Sequence, residues 1–384
     1  MKRKVAVVTG SRSEFGILYC VIKALEECEE INCKVIVTGS HLAPSQGYTI
    51  NQIHESKIRV DATVPMLIDG DDNESLGYSI AMGIMGLTKE FKNLNPDLIL
   101  ILGDRFEIFS AATAAMALQI PIAHIAGGET DWANCIDGDV RNAITKMAHI
   151  HFVSTELYKN RIEKMGEEKW RIFNVGLPSL DNIKENLLNK DELQNSLNIE
   201  FKGKIFVCTY LPVGLRVEES INELNELLKG LSEFREDTVI FTLSNADAGG
   251  RKINELILKC ANEYNHIYCF PSLGKQRYLS MINICDVVVG NSSSGIIETS
   301  SFGRATVNVG IRQSGRIHPE NVIDVSGNKE EIIAAIQKAI YDEDFKKQIC
   351  DVKNPFGDGN ASEKIVKILK DINIDTNLIE KRLI

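Results

Sequence analysis

With 384 residues, 44% of them hydrophobic and 25% charged, the chain is long enough for two globular domains and too apolar to be disordered. A formal net charge of −10 gains nothing from counterion release on nucleic acid, which excludes that partner class while leaving room for a small anion held by a few arginines. The nine cysteines are scattered without a C-x-x-C pair and most lie in apolar runs, so they read as buried thiols in a reducing, cytoplasmic setting, neither a disulfide frame nor a zinc site.

The amino terminus, MKRKVAVVTGS, is basic and then apolar, but its apolar part is one strand long, too short for a secretory signal. That strand, Lys4–Val8, opens a series that continues with Lys34–Thr38, Leu98–Leu102, Ile122–Ile125, His151–Val153 and Arg171–Val175. Near-continuous Val, Ile and Leu runs are what strands buried on both faces of a parallel sheet require. Amphipathic segments Gly16–Glu27, Leu76–Leu94, Glu107–Leu118 and Glu156–Met165 alternate with them, which predicts a doubly wound α/β sheet. The uncharged stretch from Ile108 to Gly128 is divided by Gln119-Ile120-Pro121 into a helix and a strand, which argues against a membrane span.

Charged and turn-forming residues follow these strands, where parallel sheets place their ligands. Val8 to Gly16 reads as strand, Gly/Ser loop and helix, with Arg12 in the loop; this suits an anion and equally suits a plain βα turn. It lacks the G-x-G-x-x-G spacing of a dinucleotide site. Asp104 and Arg105 leave Leu98–Leu102, with Arg105 alternatively a structural partner of Asp104. After Ile122–Ile125 come two glycines and Glu129, an acid or base candidate, whereas His124, inside the apolar run, reads as a hydrogen-bonded core histidine. Asp137, Asp139 and Arg141 begin the next helix, where carboxylates serve capping as readily as catalysis.

From Pro178 to about Phe201 the chain is polar, as in a surface helix and loop between domains. The alternation then restarts with strands Ile205–Thr209, Thr238–Leu243, Ile267–Phe270, Val287–Gly290, Thr306–Val309 and Val322–Val325. Two α/β units in series suggest a GT-B-like architecture with its ligand in the intervening cleft, divided as 1–178 plus 355–384 and 179–354. The most specific motif is Gly290 to Glu298. Ser292, Ser293, Ser294 and Gly295 at a helix start can wrap a diphosphate, and Glu298, about a turn further on, can accept hydrogen bonds from ribose hydroxyls. Arg312 and Arg316 add positive charge in the next strand-exit loop.

The motifs VTGSRSEFG, VTGSHLAP, LGDRFEIF, HIAGGET, AITKMAHIHF, SNADAGG, GNSSSGIIE, GIRQSGR and NPFGDGNA, collinear over nearly the whole chain, resemble the UDP-N-acetylglucosamine 2-epimerase family, and its hydrolysing branch in particular. The resemblance implies two Rossmann-like domains, with a last helix, here Ala361 to Asp371, returning to the first domain. It implies release of N-acetylmannosamine and UDP from a UDP-sugar, in sialic-acid-type synthesis, with no cofactor and no metal, by a homo-oligomer (dimer or tetramer). Carried onto this sequence, it places Arg12 near the phosphates and gives the nucleotide to Ser292, Ser293 and Glu298, with Arg312 nearby. Asp104 and Glu129 become the acid/base carboxylates, with Asp137 or Asp139 in support, and His41 and Asn245 join the substrate-binding candidates.

Three positions depart from the family pattern. Leu211 stands where a histidine is expected and can neither donate nor accept a proton. Gly138 replaces the second residue of an acidic pair, and Asn142 replaces the histidine after Arg141. Beside the hydrolysing 2-epimerase, two further readings follow: a nucleotide-sugar hydrolase or transferase with altered chemistry, and a non-catalytic nucleotide-sugar binder.

Overall fold

Two all-parallel sheets organise the chain. The computed structural model describes residues 2–44, 47–68, 73–130, 135–181, 183–184, 186–213, 216–244 and 249–382. One unit comprises Met1–Glu129, Cys135–Asn182 and Phe356–Ile384; the other comprises Thr130–Asn134 and Ile183–Pro355. Strands of the first unit are β1 (Arg3–Thr9), β2 (Ile31–Thr38), β3 (Ala62–Val64), β4 (Leu98–Leu102), β5 (Ile122–Ile125), β6 (Ile150–Val153) and β7 (Ile172–Asn174). They lie in the order β3-β2-β1-β4-β5-β6-β7. The second unit holds β8 (Ile205–Thr209), β9 (Thr238–Thr242), β10 (Ile267–Phe270), β11 (Val287–Gly290), β12 (Ala305–Val309) and β13 (Val322–Val325), ordered β10-β9-β8-β11-β12-β13.

Burial explains why these segments are strands. Every residue of β4, LILIL, is buried, as are Val5 to Thr9 of β1, so both faces must be covered by helices and the apolar run is continuous. The winding reverses between β1 and β4 in the first unit and between β8 and β11 in the second. At such a switch point the loops leaving the two strands diverge and open a crevice at the carboxyl ends. β3 is the strand that the sequence pattern does not reveal; three residues at a sheet edge are too few to show a period. The uncharged stretch after Ile108 forms part of the helix Phe106–Ala117 and then β5, and no helix among the described residues is long and apolar enough to cross a membrane.

The helix Arg12–Glu27 buries Leu18, Val21, Ile22 and Leu25, spaced to line one face, against β1 and β2. Its neighbour comes from the far end of the chain. The helix Ala361–Asp371 contributes Ile365 and Leu369 to the same core. The amino end of that helix is capped from a distance: the Asp181 carboxylate accepts from the backbone of Ala361 at 2.9 Å and Ser362 at 2.6 Å. Arg171, fully buried, donates to the carbonyls of Leu378 at 2.7 Å and Asn377 at 2.8 Å, tying down the segment that follows.

Where β8 and β11 run side by side, Gly290 pairs with Thr209 and has φ of +132°. A Cβ at this position would sit 2.1 Å from the Thr209 carbonyl oxygen, so no other residue fits without moving the backbone. Replacing Gly290 with Ala is expected to cost about 3 kcal/mol or more in urea unfolding. A variant as stable as the parent would show that the two strand ends are not held this tightly.

Candidate active site

In the first unit, four loops gather at the carboxyl ends of β1, β2, β4 and β5. These loops are packed hard together: at Gly39, the first residue after β2 and with φ of +58°, a Cβ would meet Glu107 Cγ at 2.6 Å and the Gly10 carbonyl at 2.7 Å. Ser11 caps the helix that begins at Arg12, and the Glu14 side chain turns back to accept from Gly10 N at 2.7 Å. Burial first, and then the neighbouring Glu107 charge, push the Glu14 carboxyl up to about 8, so it is mostly protonated at neutral pH. Arg105 braces this pair, with both Glu107 oxygens at 3.1 and 3.2 Å and Glu14 at 3.9 Å.

Arg105 is therefore not the cation that holds Asp104. Arg141 is: its guanidinium ion-pairs with Asp104, donates to the Ala126 carbonyl at 2.9 Å and lies 3.5 Å from Glu129. Ser154 Oγ donates to the other Glu129 oxygen at 3.3 Å. Ala126 has φ of +65°, a conformation that a non-glycine residue adopts at some cost; its carbonyl is one of the groups Arg141 binds. The two carboxylates singled out from sequence are thus brought to one buried guanidinium, at the ends of neighbouring strands β4 and β5.

The other expected residues of this unit divide. Asp137 lies one turn before Arg141 on the helix Cys135–Met147, on the same face, and its charge reaches Arg105. Asp139, two residues on, is exposed on the opposite side, so a shift of register does not bring it into the place of the missing acid. Arg12 is exposed on the first turn of its helix. His41 is buried, with Nε2 3.1 Å from Thr9 Oγ1 and Nδ1 2.8 Å from Thr49 Oγ1, and burial pushes it down to about 4. Both ring nitrogens are used internally, so His41 ties β1 to β2 rather than offering itself to a ligand. His124 is the core histidine its apolar setting implies. It bonds the Gly103 carbonyl at 2.7 Å and burial drives it down to about 3.

In the second unit the site centres on Asn291, fully buried just past β11. Its side chain accepts from Leu211 N at 2.7 Å and donates to Leu211 O at 2.8 Å, fastening the β8 exit to the β11 exit across the switch point. Leu211 thus contributes backbone to the site where a histidine side chain was expected. The Asn291 carbonyl in turn accepts from Arg312 Nη1 at 3.1 Å and Gln313 Nε2 at 2.8 Å. The serine motif is less helical than its sequence suggests. The α-helix runs only Ser294–Ile297 and gives way to a 3-10 turn at Thr299–Phe302, so individual N–H groups and hydroxyls, not a long dipole, are what it offers an anion. Ser292 Oγ accepts from Ser294 N at 3.3 Å, and Ser293 stands at the cap position between them. Gly295 is buried, and a Cβ there would strike Thr306 at 2.8 Å, so its small size serves packing on β12.

Glu298 closes this short helix. Burial pushes its carboxyl up to about 7, with Ser294 partly offsetting. Its Oε2, Ser294 Oγ, Tyr278 OH and Gln313 Oε1 are all buried without a well-formed hydrogen bond among the described residues, although Ser294 lies close enough to lower both the Glu298 carboxyl and the Tyr278 hydroxyl. A buried polar atom left without a partner costs about 1–3 kcal/mol, and these incompletely bonded groups beside the β8 and β11 exits suit donors and acceptors supplied by a polar ligand. Tyr278 and Gln313 escaped the sequence reading because they lie outside the serine motif; the buried pairing partners of that motif carry no spacing signal. Asn245 lies outside the described residues.

Comparison with known proteins bears on family and fold. The family model described as UDP-N-acetylglucosamine 2-epimerase matches residues 23–370. The chain is 36% identical over 380 residues, 98% of each chain, to a Campylobacter jejuni protein named GDP/UDP-N,N'-diacetylbacillosamine 2-epimerase (hydrolyzing). It is also 36% identical over 371 residues, 96% of this chain and 94% of the other, to polysialic acid biosynthesis protein P7 of Escherichia coli. The crystal structure of UDP-GlcNAc 2-epimerase from Neisseria meningitidis bound to UDP-GlcNAc superposes with a TM-score of 0.74 at 21% identity, covering 95% of this chain and 99% of that one. A likeness at that identity is one of fold, and it puts the two Rossmann-like units in the GT-B class. On the family model, the near full-length relatives and the matching fold, this chain belongs to the UDP-N-acetylglucosamine 2-epimerase family.

Proposed function

We propose that the protein is a hydrolysing 2-epimerase that converts UDP-N-acetylglucosamine and water to N-acetylmannosamine and UDP, in the cytoplasm, for a surface sugar of the sialic-acid kind. The observation that carries the chemistry is the buried Arg141 shared by Asp104 and Glu129. The C2 proton of the sugar is weakly acidic, so its removal is coupled to departure of UDP from C1. One carboxylate takes that proton, the C1–O bond breaks toward the diphosphate and a C1=C2 glycal forms. Water then adds its oxygen to C1 while a proton returns to C2 on the opposite face, which inverts that centre. Arg141 fixes where both carboxylates sit, and positioned groups at atoms that change charge are the larger part of such catalysis. The reading gives the uridine diphosphate to Ser292, Ser293, Ser294, Glu298 and Arg312, with Arg12 a further phosphate ligand, and draws support from the incompletely bonded atoms around Glu298.

A second substrate, UDP-N,N'-diacetylbacillosamine, is favoured by the name of the C. jejuni relative at 36% identity. It undergoes the same chemistry at C1 and C2 and differs in carrying a second acetamido group. Incubating the protein with each UDP-sugar in deuterated water separates the possibilities. The 2-epimer carrying deuterium at C2, together with UDP, is the expected product, and the preferred sugar is the one with the higher kcat/KM. UDP with unchanged sugar configuration would mean simple hydrolysis, and UDP binding without turnover would mean a non-catalytic binder.

Glu298 gives a pH signature. Ribose hydroxyls donate to an ionised carboxylate, and the free group titrates at about 7, so UDP affinity is expected to weaken as pH falls through neutrality. In Glu298→Gln, calorimetry should show UDP binding weakened about 10–100-fold near pH 8 and distinctly less near pH 6. An equal loss at both would remove Glu298 from the ribose contact, and the comparison cancels the titration of the phosphate itself.

The helix Asn73–Leu94 exposes Tyr78, Met82 and Met85 at helical spacing, with Met85 71% exposed, and Met116 is also exposed on the helix packed against it. An apolar stripe of this kind on one face suits a two-fold interface between copies of the chain, and a homo-oligomer is the proposed assembly. Met85→Glu is expected to shift the mass measured by light scattering from dimer or tetramer toward monomer. A monomeric parent protein would sink this part of the proposal.

A further inference from the structure

Beyond the nucleotide contacts, a line of hydrogen bonds leads from Asn291 to a histidine that no part of the reaction uses. Gln313, buried, bonds the Asn291 carbonyl through its side chain at 2.8 Å. Its own carbonyl accepts from Arg316 N at 3.3 Å and lies 3.1 Å from His318 Nε2. The other nitrogen of His318, Nδ1, faces Asp324 Oδ2 on β13 at 2.8 Å, and the second Asp324 oxygen accepts from Asn308 Nδ2 on β12 at 2.7 Å. A carbonyl oxygen cannot donate, and a carboxylate that already accepts from an amide stays an acceptor. Both ring nitrogens of His318 therefore face acceptors, and only the doubly protonated ring satisfies both.

We infer that His318 is a positioning residue for the nucleotide loop: as a fixed imidazolium held by Asp324 it clamps the Gln313 backbone, and through Gln313 it sets Asn291 and the Arg312 loop in binding geometry. The inference rests on the nucleotide-binding reading above. The charged groups that act on the ring are Asp324 on β13, which favours the imidazolium, and Arg316 in its own loop, which opposes it. The carboxylate prevails, and the ring holds its proton above the ordinary histidine range. Once that proton is lost, one nitrogen becomes an acceptor facing an acceptor. Either the Asp324 contact or the Gln313 contact must then open, and the loop bearing Arg312 is left with its bonds to the Asn291 carbonyl but without the clamp that joins it to β13. His318 does not touch the substrate on this account; it acts through Gln313.

Two measurements on the full-length protein test the proposal. In the first, UDP affinity is followed by calorimetry from about pH 7 to about pH 9 for the parent, His318→Gln and Asp324→Asn. The parent is expected to weaken about fivefold or more on the alkaline side, His318→Gln to be weaker by about that factor already near pH 7 with no further decline, and Asp324→Asn to decline at lower pH than the parent. Ratios between proteins cancel the titration of uracil and phosphate, and thermal melts within a few degrees of the parent confirm that the variants fold. In the second, long-range proton–nitrogen NMR of the ligand-free protein reads the His318 ring directly. The imidazolium pattern near pH 7, converting to neutral at lower pH in Asp324→Asn, is expected. A neutral ring near pH 7, or parallel pH profiles for all three proteins, would overturn the inference. Absence of UDP binding by the parent at every pH would instead overturn the nucleotide reading, while the NMR arm still decides the state of His318.

Discussion

The guanidinium of Arg141 is the constraint around which the first unit's site is arranged. It sits on the helix Cys135–Met147, yet its contacts are Asp104 after β4, Glu129 after β5 and the carbonyl of Ala126 between them. Two acidic side chains at adjacent strand ends repel each other and, left alone, would swing apart. One buried cation between them fixes their separation and orientation together, as the proposed proton transfer to and from one carbon requires. The second unit solves a related problem without charge. Asn291 bonds both backbone groups of Leu211 across the switch point, so the two diverging loops keep one spacing. In each unit a single buried polar side chain determines how wide the crevice stands.

Charge is handled locally in a chain whose net charge is −10. Glu14 and Glu107 are both buried beside one arginine, and the first answers by holding a proton at neutral pH. Glu298 is buried too, and its carboxyl is pushed up to about 7 because Ser294, Lys275 and Arg316 offset that burial only in part. These are different solutions to one cost, that of keeping a carboxylate out of water. The protonated Glu14 braces a loop, because its hydrogen bond to Gly10 survives in the neutral form. Glu298 is poised, because a donor supplied from outside is what would settle its charge.

Much of this was legible in the sequence, and the boundary has a physical basis. Continuous apolar runs such as LILIL announce buried parallel strands because covering both faces leaves no room for polar residues. Charged residues directly after those runs, Asp104 and Glu129, announce a site because strand exits are where loops meet. What stayed hidden is whatever depends on partners distant in the chain. Arg141 was visible as a residue but not as the link between Asp104 and Glu129, 37 positions from the first. Asn291 reads as one more polar residue in a serine loop until the β8 exit is laid beside it. His41 looked available to a ligand, and only the fold shows that Thr9 and Thr49 take both its nitrogens. β3 is too short to carry a period at all.

The return of the chain's end to its beginning bears on how the protein is made. Ile365, Leu369 and Leu378 share a core with Val5, Leu18 and Val35, and Asp181 and Arg171 hold the segments that bring them there. During synthesis the second unit's strands all emerge before those residues do. A ribosome-bound chain can therefore complete its second half while its first half still lacks three core side chains. The nascent first unit has to wait, with an apolar flank of the helix Arg12–Glu27 uncovered, until Ile365, Leu369 and Leu378 leave the exit tunnel. Of these two units, the one whose translation begins first is the second able to complete its core.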